Sequence, residues 1–100
     1  MSLIDLSLTQ YVYLVGSRKH GWYKVGITRD LKSRVKSIQN GLPFKIELFG
    51  HVVSRYGDIV EKETHTRFSS KWVRGEWFKE LDVPEVLLYM LRKAGELGDA

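Results

Sequence analysis

The sequence predicts a small α+β fold, a three-stranded antiparallel β-sheet flanked by helices that leaves one polar face open. Two runs of aromatic and β-branched residues, 11–15 and 22–28, are separated by six residues that begin and end with glycine, as in a β-hairpin. A third run, residues 45–54, alternates well enough to add a strand. Helical spacing of apolar residues recurs after these runs. We therefore expect a lead-in over residues 1–10 and one domain over residues 11–97.

The predicted hairpin closes through a four-residue loop, residues 17–20, between Gly16 and Gly21. In an antiparallel pair, directly opposed residues share a face of the sheet. One face is then apolar and forms the core side, with Val12, Leu14, Tyr23, Val25 and Ile27. The other face carries three opposed pairs: Tyr13 with Lys24, Tyr11 with Gly26, and Val15 with Trp22. The hairpin is thus expected to place a phenol directly beside an ammonium.

A helix is predicted over residues 31–39, capped at its start by Thr28 or Asp30. Its buried stripe has the i, i+4, i+7 spacing and consists of Leu31, Val35 and Ile38. Arg34 lies about 60° to one side of that stripe, so its guanidinium can reach from the domain edge into a cleft. Two lysines of this helix project into water, where they can contact a polyanionic substrate: Lys32 and Lys36.

A second helix is predicted over residues 58–70, with a packed stripe made of Val60, Thr64 and Phe68. Glu61 and His65 lie one turn apart beside that stripe. Such a pair can present a carboxylate to a hard cation and an imidazole to a phosphate or a metal-bound water. Two simpler interpretations remain. Glu61 can close a capping box that begins at Asp58, and His65 can be an ordinary surface histidine.

The last third of the chain combines large aromatic residues with a further amphipathic helix. Three aromatic residues are expected in the core or in a cleft wall: Trp72, Trp77 and Phe78. Glu76 is the polar candidate nearest to them. The final helix begins near Asp82 and Pro84, and its apolar face is expected to cover the sheet. That face consists of Leu87, Met90, Leu91, Ala94 and Leu97.

Composition narrows the class of protein. The chain has 100 residues and no cysteine, which excludes disulfides, thiolate metal sites and a cysteine nucleophile. It has neither a basic leader nor an apolar run of about 18 residues, so we expect a cytoplasmic protein that makes no membrane contact.

The positive charge is concentrated in one half of the chain. The formal net charge is +4, and between Ser17 and Lys45 eight lysines and arginines accompany a single acid, Asp30. Such clustering favours a nucleic-acid partner, because each neutralised phosphate releases counterions. The alternative is a lysine-rich surface that serves only solubility.

Several short motifs, in this order and spacing, resemble those of the GIY-YIG nuclease superfamily. The first motif corresponds to YVY at residues 11–13, and the second to KVG at residues 24–26. Arg34 follows eight residues after the second motif, and GEWF at residues 75–78 narrows the resemblance towards a small branch of the superfamily that is common in phage and bacterial genomes. With Glu61 and His65 the resemblance covers roughly residues 11–80. Tyr11 and Lys24 depart from the usual glycine and tyrosine, and no asparagine matches the one that supports the site in many members.

The resemblance implies a metal-dependent endonuclease that hydrolyses phosphodiester bonds of nucleic acid, DNA in preference to RNA. It implies that Arg34 holds the scissile phosphate, that Glu61 holds one Mg²⁺ or Mn²⁺, and that Tyr13 acts on the attacking water. Lys24 and His65 complete the catalytic set. The candidate substrate-binding residues are Tyr11, Gly26, Lys32, Lys36 and Glu76.

The proton acceptor and the activity itself stay open at this level. A tyrosine near pKa 10 is a poor base unless Lys24 favours its phenolate; alternatively, a desolvated Lys24 is the base and Tyr13 positions the water. The same basic face can instead belong to a module that binds nucleic acid without cutting it, and the last helix can serve a protein-interaction domain. A chain this short lacks room for a separate recognition domain. We therefore expect low sequence specificity, or specificity supplied by a homodimer or a partner protein.

Overall fold

A computed structural model describes residues 9–98 as a five-stranded antiparallel sheet with helices on both faces. The strands are β1 (Gln10–Ser17), β2 (Trp22–Thr28), β3 (Glu47–Ser54), β4 (Trp72–Arg74) and β5 (Trp77–Lys79), in the spatial order β3-β1-β2-β5-β4. The helices are α1 (Leu31–Asn40), α2 (Gly57–Arg67) and α3 (Val83–Glu96), and a short 3₁₀ helix follows α2 at Ser69–Lys71.

The predicted α+β class is confirmed, whereas the predicted number of three strands is wrong. The β4–β5 hairpin adds two strands beside β2. Of the predicted lead-in over residues 1–10, residues 1–8 lie outside the described part of the chain, and Gln10 already belongs to β1. None of the helices in the described residues has the length and apolarity that a bilayer crossing requires.

The β1–β2 hairpin has a different register from the predicted one. Tyr13 lies opposite Gly26, and Val15 opposite Lys24. All three predicted pairings are therefore wrong by two residues: Tyr13 with Lys24, Tyr11 with Gly26, and Val15 with Trp22. The cause is that β1 continues to Ser17, whose carbonyl accepts a 2.8 Å hydrogen bond from the N–H of Gly21 across the loop. A slip of two residues keeps every side chain on its predicted face, because side chains alternate with a period of two.

The main core lies between the sheet and the helices α2 and α3. The predicted core side of the hairpin is confirmed: Val12, Leu14, Tyr23 and Val25 are buried there. The predicted stripe of α2 is buried as well. From α3 the core receives Val83, Val86, Met90 and Ala94. Leu91, which was predicted on the buried face of this helix, is instead 62% exposed.

The opposite face of the sheet was predicted to be polar and open, and it is partly covered by α1. The helix begins after Asp30, whose carboxylate accepts a 3.1 Å hydrogen bond from the N–H of Ser33. Its predicted apolar stripe packs on a small cluster of Tyr13, Val15 and Ile46. Tyr13 is consequently fully buried, although it lies on the face that carries the polar residues.

Candidate active site

Tyr13 and Arg34 meet in a direct hydrogen bond. Nε of Arg34 donates to Oη of Tyr13 at 3.2 Å, because α1 crosses β1 with its border residue directed at the phenol. The bond raises the pKa of Arg34 further above its ordinary range, so the guanidinium stays charged. Arg34 is exposed as a residue, which leaves it accessible to a ligand.

The phenol of Tyr13 is held in its protonated form. Burial raises its pKa above the ordinary value of 10.0, and the negative charges of Glu76 and Glu61 add to the rise, while Arg34 opposes it. The cation in contact with the phenol is therefore Arg34. Lys24, the predicted neighbour, lies two residue pairs further along the hairpin, on the same face.

Gly26 provides the space in which the site residues meet. A Cβ atom at this position would lie 2.6 Å from Cζ of Tyr13 and 2.7 Å from Oε1 of Glu76. These two atoms are therefore no more than 5.3 Å apart, and only a residue without a side chain fits between them. Gly26 was predicted to bind substrate; its position next to the phenol and the carboxylate is that of a spacer.

Glu76 enters the site from the two-residue turn between β4 and β5, where Gly75 has a φ of 56°. Oε1 of Glu76 lies 3.1 Å from Nζ of Lys24, and the two side chains are only 35% and 12% exposed. The contact is an ion pair whose angles do not suit a hydrogen bond, so Oε1 has no hydrogen-bond partner among the described residues. The same ammonium lies 5.3 Å from the ring centroid of Trp77.

Helix α2 replaces β5 along the edge of β2. The N–H of Val25 donates to the carbonyl of Glu76 at 3.1 Å, where the strand pairing ends. The carbonyl of Val25 faces the same edge and is 2.8 Å from Nε2 of His65. Because a carbonyl can only accept, Nε2 carries the hydrogen. His65 is thus a partly buried residue that docks α2 on β2, with its ring edge-on to Phe78 at 4.9 Å, and not a solvated surface histidine.

Glu61 lies one turn before His65 on α2. The helix begins at Gly57 after the cap residue Tyr56, so Asp58 is not at the cap position and the capping-box interpretation is wrong. Oε2 of Glu61 is buried and has no hydrogen-bond partner within residues 9–98. Burial raises the pKa of Glu61 above its ordinary 4.5, and Glu76 raises it further, whereas His65 and Lys24 lower it. A buried, unpartnered carboxylate oxygen of this kind is stabilised by a cation.

The remaining candidates lie outside this group. Tyr11 and Lys32 line a separate groove of about 780 Å³ beside α1 and β3, in which the Tyr11 ring is edge-on to His51 at 5.3 Å. Lys36 is exposed on α1. The structure thus brings six of the ten predicted residues together, places His65 beside them as the residue that docks α2, and leaves these three apart. The six are Tyr13, Lys24, Gly26, Arg34, Glu61 and Glu76.

Neither the role of the Val25 backbone nor the approach of Glu76 to the phenol through the β4–β5 hairpin was predicted from the sequence. The sequence does contain a signal for the β4–β5 hairpin. The dipeptide Gly75-Glu76 separates two short aromatic runs, which is the pattern of a two-residue hairpin turn. The docking role of His65 had no signal, because hydrophobic periodicity does not indicate where a ladder of strand pairs ends.

Within residues 9–98 no group of three or more histidine, aspartate or glutamate side chains is placed to hold a metal ion. A divalent ion would therefore depend on Glu61 and retain several waters, as Mg²⁺ commonly does. Its buried, unpartnered Oε2 is a hard oxygen donor and fits that role.

The model of one protein family, the T5orf172 domain, matches residues 10–93. This range contains all five strands, α1, α2, most of α3 and every residue of the candidate site. The T5orf172 domain occurs in phage and bacterial proteins and has nuclease-like relatives. Searches among curated proteins and among solved structures gave no match. The match spans most of the chain, and the protein therefore belongs to the T5orf172 domain family.

Proposed function

We propose that this T5orf172 domain is a metal-dependent endonuclease that hydrolyses phosphodiester bonds of nucleic acid, DNA in preference to RNA. The supporting observation is the convergence of a phenol, a guanidinium, an ammonium and two carboxylates from five different elements around Gly26. The family match supports a function related to nucleic acid. The resemblance to GIY-YIG nucleases and the basic first half of the chain support phosphodiester chemistry.

Arg34 would bind the scissile phosphate. Its contact with Tyr13 uses Nε, so both Nη groups are left for two phosphate oxygens, which the planar fork of a guanidinium matches. Attack on phosphorus increases the negative charge on these oxygens. A fixed guanidinium stabilises that charge without having to reorganise.

Glu61 would hold a single Mg²⁺ or Mn²⁺ through its buried oxygen. When bound, the ion would stabilise the charge that develops on the leaving oxygen. The carboxylate itself would gain from a cation, since burial and the nearby Glu76 disfavour its ionised form and raise its pKa. His65 would keep α2 docked, so that Glu61 stays at the edge of β2.

Three groups are candidates for the general base that accepts the proton of the attacking water: Tyr13, Lys24 and Glu76. The raised pKa of Tyr13 disfavours a phenolate, and an ammonium such as that of Lys24 in its ion pair has no lone pair to offer. Glu76 has an accepting oxygen without a hydrogen-bond partner close to the phenol. We therefore assign the positioning of the water to Tyr13 and the acceptance of its proton to Glu76. The bond from the water oxygen to phosphorus forms as the bond to the leaving oxygen breaks.

The pH dependence of the cleavage rate tests this assignment. Glu76→Gln should remove most of the rate, because an amide cannot accept the proton of the water. Lys24→Arg should leave the shape of the profile unaltered, because arginine preserves the ion pair and cannot act as a base. A shape that changes with Lys24→Arg would return the role of base to Lys24.

The activity is tested by incubating supercoiled plasmid with the purified protein and Mg²⁺ or Mn²⁺. We expect nicking, with a loss of about 100-fold or more in Arg34→Ala and in Glu61→Ala. Arg92→Ala is the control, since it removes an exposed positive charge from α3, on the opposite side of the sheet, and should change the rate only slightly. Cleavage that persists when Arg34 and Glu61 are both alanine would contradict the proposed site.

A second function is a module that binds nucleic acid without cutting it. It is favoured by the raised pKa of Tyr13 and by Lys24 at a position where the resembled family has tyrosine. Salt-sensitive binding of DNA without nicking, with either metal, would establish this alternative. In either case we propose that a homodimer or a partner protein supplies sequence specificity.

A further inference from the structure

The face of the sheet that carries the candidate site also carries an aromatic groove of about 220 Å³. It lies over β2 and the β4–β5 hairpin, next to the loop that follows α1. The proposed hydrolysis does not use it. The lining residues are Trp22, Leu42, Phe44, Val73, Arg74 and Trp77.

Each of the two tryptophans that line this groove belongs to a cross-strand pair with a lysine. Trp77 lies opposite Lys24, and Lys79 opposite Trp22, so all four side chains share the face of Gly26 and Tyr13. Nζ of Lys79 is 4.6 Å from the ring centroid of Trp22, and Nζ of Lys24 is 5.3 Å from that of Trp77. The two indole rings are perpendicular, with centroids 6.3 Å apart. Each indole is therefore flanked by a positive charge.

The chemistry of the groove fits a nucleotide. Trp22 and Trp77 are only half-buried, so their rings stay accessible to a ligand. The guanidinium of Arg74 adds a third positive charge. Aromatic faces between cations suit a planar base that carries a phosphate. The volume is below the roughly 300–1,000 Å³ of typical small-molecule sites, which suits one base and not an extended ligand.

Lys24 connects the groove to the site, because its ammonium contacts both the Trp77 ring and the carboxylate of Glu76. A base in the groove would therefore belong to a nucleotide close to the phosphate at Arg34. Bases inside a duplex are stacked and paired, and their faces are not available to an indole. We propose that the groove binds one unstacked base, so that the protein prefers single-stranded DNA or a locally unpaired strand. This inference rests on the proposed function in one respect, namely that the ligand is a nucleic acid.

Intrinsic fluorescence offers a direct test, because the chain has three tryptophans and two of them line the groove. The third, Trp72, is 53% exposed and lies opposite Phe78, on the other face. Trp72→Phe therefore leaves the groove pair as reporters. In the absence of divalent metal we expect a short oligo(dT) to quench this variant, and a blunt duplex with the same number of phosphates to leave its emission nearly unchanged.

A second measurement is the affinity for oligo(dT). Trp77→Leu keeps an apolar side chain but removes the stacking ring, and should weaken this affinity about tenfold with little effect on duplex binding. Trp77→Phe should restore most of the loss. Circular dichroism would establish that each variant is folded. Should Trp77→Leu fail to fold, Arg74→Ala on the exposed edge strand replaces it, with a severalfold loss for oligo(dT) expected.

The outcomes separate this inference from the proposed endonuclease. Quenching by oligo(dT) without any plasmid cleavage would support the groove and refute the enzyme. Plasmid cleavage without quenching, or equal affinity for both DNA forms in every variant, would overturn the groove alone. Concentration-dependent quenching without DNA would also overturn it, since a second copy of the chain would then cover the indoles.

Discussion

Gly26→Ala is the sharpest test of how the site is packed. The added methyl would lie 2.6 Å from Cζ of Tyr13 and 2.7 Å from Oε1 of Glu76, and closer still to the phenol oxygen. Real Cβ atoms essentially never approach other heavy atoms within 3.0 Å, so the phenol carbon must retreat by at least about 0.4 Å and the hydroxyl by more. The carboxylate ends a flexible side chain and can turn away. The phenol ring is fully buried and cannot.

The expected cost follows from this difference. Forcing an extra methyl into a packed region typically destabilises a protein by about 1–3 kcal/mol. For a domain of this size each kcal/mol lowers Tm by roughly 4–8 °C, so a drop of roughly 4–24 °C is expected. The bond from Arg34 to the phenol, at 3.2 Å, is already at the long limit for N–H donors and should break. Cleavage should therefore fall even at temperatures where the variant is folded.

Thermal unfolding followed by circular dichroism, together with plasmid nicking well below Tm, measures both effects. Gly95→Ala is the matched control, because a Cβ at Gly95 meets no atom within 4 Å and the residue lies inside α3. Alanine should stabilise that helix by about 0.5–1 kcal/mol and leave cleavage unchanged. If Gly26→Ala instead unfolds at the wild-type Tm and cuts at the wild-type rate, the close packing of Tyr13 and Glu76 around Gly26 is wrong.

Three other perturbations address the charges of the site. Glu61→Gln should abolish cleavage yet add about 1 kcal/mol to the free energy of unfolding at neutral pH. Because the pKa of Glu61 is raised in the folded state, its stabilising contribution is complete below pH 4.5 and is lost as the pH rises through the folded pKa. The Tm of Glu61→Gln should therefore exceed that of wild type by more at neutral pH than at acidic pH. A difference in Tm that stays constant with pH would contradict this. Tyr13 also has a raised pKa, so stability should fall above pH 10 more steeply in wild type than in Tyr13→Phe, as urea titrations at several pH values would reveal; parallel curves would refute it. Arg34→Lys keeps the charge but loses the donor to Tyr13 and the planar fork, and nicking should slow about 100-fold; a wild-type rate would exclude two-point phosphate binding.

Local patterns predicted the strands and helices whose periodicity is long enough to define a face. The alternation in β1 and β2 identified the core side correctly, because a side chain's face depends only on parity. The predicted register of β1 against β2 is wrong because it places Gly16 at the end of the loop, whereas Gly16 belongs to β1. Its lack of a side chain serves a different purpose: a Cβ there would lie 2.9 Å from Cα of Tyr23 on the opposed strand. Close approach between strands and loop closure both select glycine, and the sequence alone does not distinguish them.

The site was predictable where it depended on one element at a time. Helical geometry predicted that Arg34 would reach inward from α1, and the hydrogen bond to Tyr13 agrees with that. The partners of Lys24 and His65 were not predictable, because they depend on where β5 ends relative to β2. That boundary is set by tertiary packing of strands only three residues long, and such short strands carry almost no periodic signal.

The short length of β5 limits which turns of this chain can accept inserted residues. Surface turns usually tolerate inserted residues, since nothing depends on their length. The turn at Gly75-Glu76 differs, because a hairpin longer by two residues would extend the ladder along β2 and occupy the carbonyl of Val25 that His65 now binds. Insertions at this turn should thus be as disruptive as those in the interior, whereas the exposed loop at residues 18–20, at the other end of the sheet, should accept them.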